Sequence, residues 1–436
     1  MTISDTSGSW PNSKTLVSVS VPPGPSGLAK IRGPVFAALA GTGPAIAPIP
    51  MQPEADAKAI SAIIRAQDPD FPLESDQVAL VCSTSGSTGT PRGTLLSRQA
   101  LEASSRAFAG RFGSDARWVL AMPLHRIAGL MILVRSHFYD NPIVVDPSVG
   151  GAMPFNAATF WATTQSALRS SKVDGRPLMV SLVPTQIARL IDSGKVGIEA
   201  LQAYDLVLSG AAATPQPLLT KLRELGIKVS VSYGMSETCG GCVFDGMPLD
   251  GVRVSIASQE DAEPGRISIA GPVIASGYRL RPDLDGVSFI DNRFITHDVG
   301  ALDAAGLIHI LGRLDDIVTV GGVNVALSAV EAAIRHHPSI SDVAVVDVSD
   351  QLWGSLPVAY IVLQATERIS TSEQTALTKA IQEVVASRIG RAATPRTIAY
   401  VDHLPMLDSG KVDRLKLRLQ ANQEIAQGLI NHPGTK

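Results

Sequence analysis

From Val78 to about Tyr233, short apolar runs alternate with longer amphipathic ones, and no other feature narrows the fold as far. The strand-like runs are Val78–Val81, Trp118–Met122, Pro142–Val145, Leu178–Val183, Asp205–Leu208 and Lys228–Ser232. Helix-like runs lie between them. One starts at Ser97, a good N-cap residue, and carries Leu101, Phe108 and Phe112 on roughly one face. Another follows Pro215 and ends near Gly226, with proline at the start and glycine past the end. Strand–helix alternation of this kind predicts an α/β fold, a mostly parallel sheet covered by helices on both faces. In such sheets ligands bind beyond the C-terminal strand ends.

The chain has 436 residues, which is too long for one ordinary core. The pattern changes twice downstream. Between Asp250 and Gly312 come short strands separated by turns: Val252–Ile256, Arg266–Ile269, Val287–Ile290 and Leu307–Leu311. These predict a small β subdomain. After Gly312 come the helix Leu327–His337, strands Val343–Val348 and Val358–Leu363, the helix Ser372–Ser387 and the strand Thr397–Val401. That is a small α+β C-terminal domain. The expected division is 1–314 for a large N-terminal domain and 315–436 for the C-terminal one. Residues 1–27, rich in Ser, Thr, Pro and Gly, are expected to be poorly ordered.

A net charge of −3 gives no electrostatic case for nucleic acid or an anionic membrane. No apolar stretch approaches the ~20 residues of a spanning helix. The N-terminus lacks a basic segment followed by an apolar core, and the three cysteines, Cys82, Cys239 and Cys242, suit a reducing cytosol. A cytoplasmic enzyme is the expectation, and no feature chooses between a monomer and a homodimer. Cys239-Gly-Gly-Cys242 has the spacing of a redox or metal pair, but no further ligands stand at matching distance.

Five segments carry chemistry. The first is Ser83-Thr-Ser-Gly-Ser-Thr-Gly-Thr-Pro-Arg-Gly93, which follows a buried strand. Its hydroxyls and glycines can turn backbone N–H groups toward phosphate oxygens. It is not a Walker A loop, because no Gly-Lys-[Ser/Thr] ends it. The second is Tyr233-Gly-Met-Ser-Glu237, a carboxylate just past a strand end, placed to hold Mg²⁺ bridging phosphates, with an aromatic that can stack on a base. The third is Thr296-His-Asp298, whose carboxylate suits two ribose hydroxyls. The fourth is Gly312-Arg-Leu-Asp-Asp316 with Val320-Gly-Gly-Val-Asn324 and Glu331, a hinge-like stretch at a change of pattern. The fifth is Pro405-Met-Leu-Asp-Ser-Gly-Lys-Val-Asp-Arg414, a tight turn presenting Lys411. Each alone reads as an ordinary turn or a surface charge.

In this order and spacing the five segments resemble those of the adenylate-forming enzymes: acyl- and aryl-CoA synthetases, peptide-synthetase adenylation domains and beetle luciferase. The resemblance covers about Val78 to Arg414. It implies a mobile C-terminal domain and two half-reactions, in which a carboxylate and ATP give acyl-AMP, and a thiol then displaces AMP. It implies that Thr84, Ser85, Gly86, Ser87, Thr88 and Gly89 cradle the ATP phosphates beside Arg92. Glu237 would hold Mg²⁺. Ser209, Gly210 and Ala211, with Tyr233, Gly234 and Ser236, would line the nucleotide site. Asp298 and Arg313 would bind ribose, Asp315 would be the hinge, and Lys411 would serve adenylation. Gly321 and Gly322 would meet the pantetheine of CoA. Two departures stand out. Arg92 takes a place usually held by lysine, and His297 one where glycine is common.

The phosphate run begins early, at residue 83, so the N-terminal part is abbreviated. This trimmed form, with Leu120–Leu130, Leu133-Val-Arg135, Ser181–Gln186 and Tyr233–Phe244, resembles the o-succinylbenzoate–CoA ligases of menaquinone biosynthesis in their actinobacterial form. Arg126 stands where relatives usually have histidine. The implied substrate is a small carboxylic acid with a second carboxylate. His125, Arg126 and Arg135 are the expected substrate contacts, and Gly240 and Gly241 are expected to leave room for a ring. Other aryl- or acyl-CoA ligases, a free-standing adenylation domain that loads a carrier protein, and an adenylate-sensing homologue are the competing readings.

Overall fold

The structure is a computed structural model. It describes residues 15–53, 55–85, 91–257, 264–350, 352–364, 370–406 and 412–426. The chain divides into two compact units. One comprises Met1–Thr214, Leu218–Val254 and Ser268–Ile295; the other comprises Pro215–Pro217, Ser255–Ile267 and Thr296–Lys436.

The first unit holds a seven-stranded sheet in the order Met247–Pro248, Gly240–Phe244, Val229–Met235, Leu206–Ser209, Leu178–Leu182, Arg117–Leu120, Ile143–Val145. Its last five strands are parallel, as the alternation predicts. Gly240–Phe244 turns back antiparallel along Val229–Met235. The strands are nearly all apolar because helices cover them. Val119, Val180, Leu182 and Val207 pack against Phe160, Ile187 and Leu222 from those helices. Ser97 caps the helix Arg98–Phe112 by accepting from the Ala100 N–H at 3.1 Å. Gly226, with φ of 68°, lies just beyond the helix Gln216–Glu224.

A second sheet in this unit escapes the alternation argument. Leu16–Val21, Ala45–Pro50 and Val78–Ser85 pair in parallel, followed by Pro91–Ser97 and Gly277–Tyr278, both antiparallel to their neighbours. This corrects the expectation of poor order through residue 27. Leu-Val-Ser-Val-Ser-Val is a strand whose Leu16, Val19 and Val21 are buried, and a helix starts at Pro25. It also corrects the setting of the phosphate run. That run sits at the tip of a β-hairpin, with Ser85 opposite Pro91, rather than between a strand and a helix.

Short strands form at Arg253–Ala257, Gly265–Ala270, Phe289–Ile290, Arg293–Leu302 and Ile308–Arg313, where turns and short apolar runs predict them. Val287 and Ser288, expected in a strand, end the helix Pro282–Ser288. The rest of the second unit carries a sheet in the order Val323–Ala326, Ile317–Val320, Gly354–Leu363, Ile340–Asp350, with Thr397–Tyr400 beside Gly354–Leu363. The helices Leu327–Arg335 and Thr371–Arg388 flank it, and Val330, Ile334, Val345, Tyr360 and Ile381 form its core. Among the described residues no helix is long and apolar enough to cross a membrane.

Candidate functional site

In the first unit the hairpin places Thr84 opposite Arg92 and Ser83 opposite Gly93. Gly86, Ser87, Thr88 and Gly89 lie outside the described residues, as do the side chain of Ser85 and all of Lys411. Gly93 is glycine for a packing reason. A Cβ there would stand 3.0 Å from both Arg279 Cβ and Val81 Cγ1.

Glu237 sits in a single 3₁₀ turn, Ser236–Thr238, directly after the strand Val229–Met235. Thr238 closes this turn, accepting from the Met235 N–H at 2.9 Å and donating to Gly240 O at 2.7 Å. Glu237 is buried, and its Oε1 accepts a 2.8 Å hydrogen bond from the Tyr278 hydroxyl. The Tyr278 phenol is pushed well above its usual range by burial first, then by the Glu237 carboxylate. Arg92 opposes that rise; its guanidinium carbon lies 5.6 Å from the Tyr278 ring centre. Arg92 and Glu237, expected from sequence to share one site, are thus joined through Tyr278. Sequence reasoning missed this tyrosine. Gly277-Tyr278 sits in a turn-rich stretch, and only its pairing with Pro91–Ser97 brings it to the site.

Ser236 donates to the Cys82 sulfur at 3.7 Å, and Cys82 approaches His125 O at 3.8 Å. Burial raises the Cys82 thiol to about 11 against the opposing effects of Ser236 and the Arg126 charge. The three cysteines are free and buried. His125 and Arg126 therefore border the Glu237 turn, with His125 buried and Arg126 half-buried at the N-cap position of the helix Ile127–Tyr139. Ser209 is buried and bonds Thr214 at 2.8 Å, while Ala211 takes a left-handed φ of 63° just past the strand Leu206–Ser209. A Cβ on Gly210 would lie 2.3 Å from Ser232 Oγ, so this turn touches the strand that leads to Tyr233.

Two expectations for the substrate pocket need correction. Arg135 is nine residues along the same helix from Arg126, roughly 13 Å at helical rise. It is buried with its guanidinium carbon 3.8 Å from the Phe108 ring centre and 5.6 Å from that of Trp118. It is an interior cation held on aromatic faces, away from the Glu237 turn, and burial pulls its pKa down. Gly240 and Gly241 do not open space for a ring. A Cβ on Gly240 would meet Met131 Cγ at 3.0 Å, and one on Gly241 would meet Phe244 at 2.9 Å. A Cβ on Gly234 would stand 2.1 Å from Gly240 O, so these glycines let two strands approach closely.

In the second unit, Asp298 pairs with Arg313 across adjacent antiparallel strands, with Oδ1 and Nη1 3.9 Å apart. Buried Thr296 fixes this end of the strand, donating to Ile267 O at 2.8 Å and accepting from the Asp298 N–H at 2.9 Å. Arg313 leads into the 3₁₀ turn Leu314–Asp316, which contains Asp315. Gly321 and Gly322, with φ of 57° and 85°, form the two-residue turn between Ile317–Val320 and Val323–Ala326. Gly321 donates to Trp353 O at 2.8 Å. Beyond the described end of the Lys411 turn, Arg414 makes a two-pronged pair with Glu331 at 2.6 and 3.0 Å.

Among the described residues no group of three His, Cys, Asp or Glu could hold a metal by itself. That donor set fits Mg²⁺ arriving with a nucleotide, since Mg²⁺ usually takes one or two carboxylates plus substrate phosphates and waters. Buried, oriented Glu237 supplies such a carboxylate.

Residues 43–279 match the model of the AMP-binding enzymes, and residues 329–411 that of the AMP-binding enzyme C-terminal domain. The probable 2-succinylbenzoate–CoA ligase of Mycobacterium tuberculosis is 36% identical over 386 residues, covering 87% of this chain and 92% of that one. The o-succinylbenzoate coenzyme A synthetase of Bacillus subtilis, in complex with ATP and magnesium ion, is 25% identical with a TM-score of 0.65, covering 88% of this chain and 82% of that one. ATP-bound MatB from Rhodopseudomonas palustris shares the fold, with a TM-score of 0.78 at 20% identity over 95% of this chain and 90% of that one. With both domain models matched in order, and a relative aligned over nearly its whole length, this chain belongs to the AMP-binding enzymes.

Proposed function

We propose that the chain is an AMP-forming ligase that adenylates o-succinylbenzoate with ATP and then passes the acyl group to CoA, a step of menaquinone biosynthesis. The observation that carries the substrate assignment is the 36% identity to the mycobacterial 2-succinylbenzoate–CoA ligase over 92% of its length. In the first half-reaction a carboxylate oxygen attacks the α-phosphorus and pyrophosphate leaves. In the second, the CoA sulfur attacks the acyl carbon, the thiol loses its proton and AMP leaves. Mg²⁺, when bound, neutralises phosphate charge. Glu237 holds it, and Arg92 and the hairpin tip orient the phosphates. Asp298 and Arg313 hold the ribose. Lys411 supplies positive charge where charge develops in the transition state. Arg126 is the candidate reader of the second carboxylate, supported by its place beside the Glu237 turn and by a buried Nε with no acceptor among the described residues. Gly321 and Gly322 contact pantetheine, and Asp315 is the hinge between residues 1–314 and 315–436.

A cytoplasmic setting belongs to the proposal, supported by three free cysteines. So does a homodimer, for which sedimentation of the purified chain is the test. The function itself is tested by incubating the chain with o-succinylbenzoate, ATP, Mg²⁺ and CoA and weighing the products. The expected result is o-succinylbenzoyl-CoA with equimolar AMP and pyrophosphate. Acyl-AMP that CoA fails to consume would instead point to an enzyme that loads a carrier protein.

A further inference from the structure

Residues Ala275 to Arg279 form a strap across the site. Ala275 N–H donates to Glu237 O at 2.9 Å, and Ser276 N–H to Leu95 O at 2.9 Å. Tyr278 donates to Glu237 Oε1 at 2.8 Å, and Arg279 N–H to Gly93 O at 2.7 Å. The strap therefore bonds alternately to the turn that carries Glu237 and to the hairpin that carries Arg92.

Its far end is anchored in the interior. The Arg279 guanidinium, fully buried, donates to Gln67 O at 2.9 Å, Asp68 O at 2.8 Å, Pro72 O at 2.7 Å and Glu74 Oε2 at 2.9 Å. Tyr278 itself is held by its N–H on Asp285 Oδ1 at 2.8 Å and by an edge contact with Phe289, with ring centres 5.3 Å apart. The phenol is thus fixed before any ligand arrives.

We propose that Tyr278 is a positioning residue for the adenylation half-reaction: its hydroxyl fixes the Glu237 carboxylate for the nucleotide-bound cation, and its ring seats Arg92. This rests on the reading of Glu237 as the metal carboxylate. The phenol must be the donor in this bond, because an ionised carboxylate only accepts. A carboxylate held through one oxygen has lost its free rotation, so the order is present before the cation binds. Removing such an outer partner typically costs ~10–100-fold in metal affinity.

The test uses the full chain with Tyr278→Phe, which keeps the ring contacts with Phe289 and Arg92 and deletes only the hydroxyl. The probe is Mn²⁺ in the presence of α,β-methylene-ATP, titrated by electron paramagnetic resonance. Melting temperature and both half-reactions are measured alongside, with Glu237→Gln as reference. The expected result is Mn²⁺ affinity weaker by ~10-fold or more. Adenylation should recover at high Mg²⁺, and thioester formation from supplied acyl-AMP should be retained. Unchanged Mn²⁺ affinity in Tyr278→Phe beside a clear loss in Glu237→Gln would overturn the proposal and leave the Glu237 reading standing. Equal loss of both half-reactions with a lowered melting temperature would reduce Tyr278 to a packing role and overturn it too. Unchanged affinity in Glu237→Gln would remove the metal reading, and the proposal with it.

Discussion

Arg126 and Arg135 show how little a residue type says without its surroundings. In the sequence they are two cations nine positions apart near a strand end. In the structure one borders the Glu237 turn, and the other lies on Phe108 and Trp118 in the interior. Arg126→Ala is predicted to weaken discrimination for the second carboxylate, read as kcat/KM against an analogue that lacks it. Arg135→Met is predicted to leave that discrimination unchanged. Replacing buried charge by an apolar side chain of similar size is often neutral or stabilising, so its melting temperature should hold or rise. A loss of substrate discrimination in Arg135→Met would contradict its place in the interior. Lys411→Ala is predicted to lower adenylation by ~10²–10³. Thioester formation from supplied acyl-AMP should survive, and single-turnover assays of the two half-reactions decide this.

The elements that sequence revealed are those with strong local signals. Five parallel strands could be read as uninterrupted apolar runs, and the Arg98–Phe112 helix by its cap at Ser97. The hidden ones owe their structure to distant partners. Pro91–Ser97 begins with Pro-Arg-Gly, which reads as a turn, yet it is a strand because Val78–Ser85 and Gly277–Tyr278 pair with it on either side. Tyr278 comes to the site through that same pairing, so no spacing in the sequence could announce it. Gly234, Gly240 and Gly241 look like room for a ligand, but their freedom is spent on a close approach of two strands. Gly234→Ala would place a methyl 2.1 Å from Gly240 O. It is predicted to cost about 1–3 kcal/mol, as overpacking does. Thermal unfolding measures this, and an unchanged melting temperature would contradict the close approach.

For the molecule as a whole, the proposal is of two half-reactions served by two domains with a hinge at Asp315. Asp315→Pro is predicted to keep adenylation and to slow thioester formation, because proline fixes φ near −65° where the hinge must change it. A folded variant with undiminished thioester formation would contradict a hinge at this position. The substrate is the other whole-molecule question. A site built around a carboxylate leaves its own donor unpaired when that group is missing, which can cost ~10⁴-fold in specificity, and less where a water takes its place. The deciding measurement is kcat/KM for o-succinylbenzoate against 4-oxo-4-phenylbutanoate, which keeps the reacting succinyl carboxylate and lacks the one on the ring. The account predicts a large preference for o-succinylbenzoate that narrows in Arg126→Ala. Equal values for the two acids in the unaltered enzyme would contradict the aromatic dicarboxylate assignment and leave a broader aryl- or acyl-CoA ligase.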